Sequence, residues 1–158
     1  MKVFVTHEDI KNGIKGRCYK CPVALAINAA LSEMGASHLE AAVNKSKISI
    51  HLRKAAFVVL HSQLLPQSVR VFTKAFDDCL EVSPFEFELD YNHVPFKEGQ
   101  KVKQRLSDDP SGFWDSWGEI DKIDGDEMTV VIHADIPRIM KYDRDGVRDD
   151  TRAVLVPA

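Results

Sequence analysis

The sequence predicts an α+β protein: an N-terminal module in which a helix packs on a small antiparallel sheet, followed by a small β-barrel. Three observations lead there. An alanine-rich, breaker-free stretch opened by a proline runs from Pro22 to Leu31, and apolar residues then alternate with period two from Leu39 to Leu52. After residue 92 no helical period is sustained, and short strand-like runs alternate with turns rich in Gly and Asp. A chain of 158 residues holds one ordinary domain or two small ones. The expected division is 1–91 and 92–158, with Asn92-His93-Val94-Pro95-Phe96 as the linker because Pro and Asn interrupt periodicity there.

Each element has a local reason. Lys2 to Val5 is β-branched and aromatic, as a short strand requires. Thr6, with Asp9 three residues on, opens a short helix in the manner of a capping box, and Gly13 ends it. Pro22 suits the first position of the main helix, where its missing N–H costs nothing, and the run Val23 to Leu31 predicts burial around most of the circumference until Gly35. Leu39, Ala41 and Val43, then Ile48, Ile50 and Leu52, flank the turn Asn44-Lys45-Ser46 as a hairpin with one buried face, which puts His51 on the polar face. Ala55 to Leu60 reads as a third strand. Pro66 starts a helix carrying Val69, Phe72, Thr73 and Phe76 at helical spacing, and Pro84 to Leu89 closes the module as a strand. In the second module Gln100–Leu106, Ser116–Ile123, Glu127–His133, Arg138–Tyr142 and Arg152–Val156 read as strands, with Asp124-Gly125 as a hairpin turn.

Composition excludes several classes. No run approaches the roughly 20 apolar residues that span a bilayer, and Met1 to Asp9 turns polar too soon for a signal peptide. The expectation is a cytoplasmic protein without a membrane partner. Three cysteines do not make a disulfide framework. Net charge is −3, but residues 1–76 hold eleven Lys and Arg against four Asp and Glu, whereas 77–158 hold ten against twenty. So polarised a chain predicts differently solvated surfaces, electrostatic steering, or head-to-tail association into a homo-oligomer.

Chemistry-bearing residues are few. Cys18 and Cys21 stand just before the main helix, where helix N–H groups favour a thiolate. They are half a zinc site, for which His7, His38, His51, His61 and Cys79 are the remaining ligand types, or a thiol pair that packs the helix start. Gly-x-Ser-x-Gly, P-loop and Gly-x-Gly-x-x-Gly patterns are missing, so the common hydrolase and nucleotide fingerprints do not apply. Asp143-Arg144-Asp145-Gly146 lacks the Glu an EF-hand needs, since Arg152 stands at that place. Lys45, Lys47, Arg53 and Lys54 flank the hairpin, and Lys11, Lys15, Arg17 and Lys20 precede the main helix; both clusters suit phosphates, although an acidic pI near 6.1 argues against a dedicated duplex binder. Phe113, Trp114 and Trp117, beside Asp108 and Asp109, form an aromatic and acidic stretch of the kind that anchors a protein partner or stacks on a base.

Two resemblances follow from these motifs. Glu98 to Val102 with Trp117 to Val130 resembles the start of an SH3-like or KOW-like barrel. Cys18-x-x-Cys21-Pro22-Val23-Ala24-Leu25-Ala26, with Leu65-Pro66, Phe76-Asp77 and Pro84 to Leu89, resembles small uncharacterised bacteriophage proteins. This second resemblance implies a viral accessory protein in the host cytoplasm and carries over no catalytic residue. The expectation is a non-enzymatic protein, without catalytic residues, that binds a host protein or small ligand through Phe113, Trp114, Trp117, Asp108 and Asp109 to redirect or inhibit a host process. Nucleic-acid binding through Lys45, Lys47, Arg53 and Lys54 is one alternative, and a zinc- or thiol-dependent enzyme at Cys18 and Cys21 is another.

Overall fold

A computed structural model describes residues 1–53, 55–91, 95–106, 116–133, 138–143, 146–148 and 153–157. The fold is α+β, and the chain divides into two compact units, Met1–His93 and Val94–Ala158. No described helix is long and apolar enough to cross a membrane.

In the first unit, β1 (Lys2–Val5) leads into α1 (His7–Asn12) through a complete capping box: the Thr6 hydroxyl accepts from the Asp9 N–H, and the Asp9 carboxylate accepts from the Thr6 N–H. This satisfies donors that a helix start otherwise leaves open. Gly13 caps the far end, and the ring of Pro22 sits where a Cβ would be, 2.5 Å away, so only glycine lets α2 (Pro22–Glu33) begin this close. Pro22, Val23, Ala24, Ala26, Ile27 and Leu31 of α2 are buried. The helix packs on β1 and β2 (Leu39–Val43), which form parts of two separate sheets.

One sheet is an antiparallel meander of β2, β3 (Lys47–Leu52) and β4 (Ala55–Leu64). The expected polar face of β3 is not solvated: Ser49 and His51 are buried like Ile48 and Ile50, and Tyr19 packs on the His51 ring at 6.0 Å. The other sheet pairs β1 with β5 (Phe85–Glu88), Val3 opposite Phe87. It carries the Lys2–Glu86 ion pair at 2.9 Å, half-exposed on both sides, where water screens the attraction. Between the sheets in sequence lies α3 (Gln67–Asp77), whose Val69, Phe72 and Phe76 are buried, with Phe72 4.6 Å from Phe85. The end of α3 is a Schellman turn: Cys79 N–H donates to Phe76 O and Leu80 N–H to Ala75 O. Its left-handed residue is Cys79, at φ 62°, where glycine is usual.

The second unit is a six-stranded antiparallel sheet in the order β10-β11-β6-β7-β8-β9, made of β6 (Lys101–Leu106), β7 (Ser116–Asp124), β8 (Glu127–His133), β9 (Arg138–Asp143), β10 (Val147–Arg148) and β11 (Ala153–Pro157). Its core is the buried cluster of Val102, Ile120, Met128, Val130, Ile132, Tyr142 and Leu155. The ends of the sheet meet, with Gly146 N–H donating to Asp143 O at 2.9 Å, but among the described residues no ladder joins β9 to β10. The strands expected of a small barrel are thus present, with the two ends of the strand order, β9 and β10, beside each other. The β7–β8 turn is centred on Gly125-Asp126, one residue later than the Asp124-Gly125 signal. Gly125 has φ 59° and Asp126 does not share the positive value, which fits a II′ turn with glycine first.

Candidate functional site

Residues 13–21 form a tight loop between α1 and α2. Ile14 N–H donates to Lys20 O (2.7 Å) and Lys20 N–H to Arg17 O (3.0 Å), while Cys18 O accepts from Val43 N–H at the end of β2 (2.8 Å). The adjoining hairpin turn is set by Asn44, whose Oδ1 accepts from the N–H groups of Ser46 and Lys47, both at 2.9 Å. Lys45 stands at the tip of that turn. From the opposite side comes the C-terminal half of α3, and its Asp77 Oδ1 accepts from Gly16 N–H at 3.1 Å.

Together these segments enclose a cleft of about 640 Å³ at the N-terminus of α2. Pro22, Val43 and Phe76 supply apolar wall. Arg17, Lys45, Arg70 and Lys74 line it as cations, against the carboxylates of Asp77 and Asp78. None of the four cations makes an ion pair among the described residues. The start of α2 adds the positive pole of the helix dipole. Such a setting attracts an anion, because fixed dipoles and mobile cations favour the same sign of charge.

Both thiols of the Cys-x-x-Cys segment line this cleft, Cys18 exposed and Cys21 buried at the N-cap. Here an expectation is corrected. Burial pushes the Cys21 thiol above its ordinary pKa, outweighing the N–H groups of Ala24 and Val23 that pull it down, and the nearby Asp77 charge raises it further. A helix start alone predicts the reverse. Among the described residues no group of three or more His, Cys, Asp and Glu gathers to hold a metal, so no third ligand joins the two cysteines there.

The basic hairpin is not one patch. Lys45 and Lys47 lie at its turn, but Arg53 lies at the far end of β3, about 20 Å away at a strand's rise per residue. Its guanidinium is occupied as well, donating to Ser37 O and Leu39 O at 3.3 Å. Trp117, in the second unit, is 48% exposed, with Lys103 Nζ 4.6 Å above its ring. Phe113, Trp114, Asp108, Asp109 and Lys54 lie outside the described residues.

The cleft residues that sequence reasoning missed are Arg70 and Lys74. Their spacing of four places them on one side of α3, away from the buried Val69, Phe72 and Phe76. That spacing was the available signal, but it reads equally as a solvated face. Comparison of the chain with family models, with curated proteins and with solved structures finds no match.

Proposed function

We propose that the chain is a non-enzymatic binding protein whose N-terminal unit takes a small phosphate-bearing ligand in the cleft at the start of α2. One observation carries the reading: Arg17, Lys45, Arg70 and Lys74 converge there without an ion pair among the described residues. A phosphate group satisfies several of them at once, and Arg in particular grips it with two parallel N–H bonds. Pro22, Val43 and Phe76 give an apolar body somewhere to rest. The resemblance to small phage proteins suits an accessory role inside a host cell.

Calorimetric titration with pyrophosphate and with adenosine monophosphate tests this. Binding should weaken as salt rises and fall at least tenfold when Arg70 and Lys74 are both replaced by Ala. Exposed cations tolerate replacement, so circular dichroism should be unchanged. No heat with either probe, or equal affinity in the double variant, ends the reading.

A second reading concerns a protein partner. An exposed tryptophan flanked by lysine is the residue type that anchors interfaces, and Trp117 supplies it on β7. Cross-linking in host lysate should lose a discrete adduct in Trp117→Ala; an adduct that persists removes Trp117 from the interface.

A further inference from the structure

Cys79 and Lys15 meet at the rim of the first unit. The Schellman turn that ends α3 holds Cys79 in the left-handed region and leaves its thiol exposed, and Lys15 Nζ donates to Cys79 Sγ at 2.7 Å. The backbone on both sides is already tied. Gly16, the residue after Lys15, donates its N–H to the carboxylate of Asp77, two residues before Cys79. The Lys15 ammonium also lies 5.8 Å from the centre of the Phe76 ring. Neither Cys18 nor Cys21 has a lysine nitrogen at hydrogen-bond distance among the described residues.

We propose that Lys15 and Cys79 form an oxidative modification site, at which a peroxide converts the pair into a covalent Sγ–Nζ cross-link. The Cys79 sulfur attacks one peroxide oxygen, the O–O bond breaks, and sulfur is oxidised to a sulfenic acid while the other oxygen leaves as water. The unprotonated Lys15 amine, its ammonium proton having gone to solvent, then attacks the same sulfur. The S–O bond breaks, the hydroxide takes a proton from nitrogen, and a second water departs. Thiol, amine and hydrogen peroxide thus become one S–N bond and two waters, with the peroxide as the two-electron oxidant. Amide nitrogens trap sulfenic acids in this way, and an amine held in contact has a far higher effective concentration than any solute.

Hydrogen peroxide treatment of the full chain, followed by tryptic peptide mass mapping without reductant, tests the site. The expected product is a peptide joining Lys15 to Cys79, two hydrogens lighter than its parts, with no tryptic cut after Lys15 and full reversal by dithiothreitol. Lys15→Arg should abolish the link, leaving Cys79 as a sulfenic or higher acid. Cys79→Gly, which suits the left-handed turn and therefore keeps the fold, should also abolish it. A wild-type product in which Cys79 is oxidised but Lys15 is cleaved normally, or in which Cys79 is disulfide-bonded to Cys18, overturns the proposal. This readout does not involve ligand binding, so it stands or falls separately from the function of the cleft.

Discussion

Cys21 shows two local effects in opposition. A helix start stabilises a thiolate through N–H groups and the dipole, whereas burial removes the water that a thiolate needs. Burial prevails here, since it is the largest contribution and raises the pKa. The consequence for stability has a definite sign. The folded thiol binds its proton more tightly than the unfolded one, so this contribution is intact below the ordinary thiol pKa, about 8.5. It declines as pH rises above that value towards the folded pKa, because the unfolded state loses protons first. Chemical denaturation from pH 7 to pH 10 should therefore show a stability loss in the reduced protein that is smaller in Cys21→Ala. Equal slopes would mean that the thiol is not buried as described. Alkylation should follow the same order, with iodoacetamide labelling the exposed Cys18 and Cys79 well before Cys21.

Within single elements, steric fit decides more than propensity. In β7, Gly118 faces the core, and a Cβ there would lie 2.8 Å from Ile132 Cδ1 and 3.0 Å from Val131 O on β8. The carbonyl is part of the ladder and cannot move freely. Gly118→Ala should accordingly destabilise the protein by about 1–3 kcal/mol, seen as a lower urea midpoint; an unchanged midpoint would show that β7 and β8 can separate without cost. Three residues further on, Asp121 is the extra residue of a bulge, since Ile120 pairs with Val130 and Lys122 with Thr129. Signals confined to one element were the readable ones. Thr6 with Asp9, Pro22 at the start of α2, and the alternation through Leu39 to Leu52 each act within a few residues, and the elements formed where those residues placed them. His51 was misplaced because alternation reports one buried face and says nothing of what covers the other. The cleft was illegible for a related reason. Arg17, Lys45, Arg70 and Lys74 come from a loop, a turn and a helix, and no local pattern links them.

At the level of the whole molecule, the polarity of the chain largely disappears on folding. The sequence is basic up to residue 76 and acidic beyond it, but the structural boundary falls at residue 93. Residues 77–93 carry six Asp and Glu without a Lys or Arg, and they belong to the basic half's own unit. Counted by unit, Met1–His93 has eleven basic against ten acidic residues and Val94–Ala158 ten against fourteen, hence +1 and −4. Particular contacts show the exchange: Glu86 meets Lys2, and Asp77 meets the Gly16 backbone. Charge-driven head-to-tail assembly thus loses its basis. The sedimentation coefficient at pH 7 should stay constant between 20 mM and 500 mM salt, a range over which the screening length falls from roughly 20 Å to a few Å. A larger species present only at low salt would restore that mode of association.

Both units are also joined from first strand to last, β1 with β5 and β6 with β11. On the ribosome this ordering acts as a delay. Lys2 to Val5 must wait for Phe85 to Glu88 to be synthesised before their backbone groups find partners, and Val102 waits in the same way for Pro157. Helix α2 and the β2–β3 hairpin, built from near neighbours, are complete long before. The nascent first unit therefore carries an unpaired strand through most of its translation, the period in which its edge is open to chaperones or to another chain.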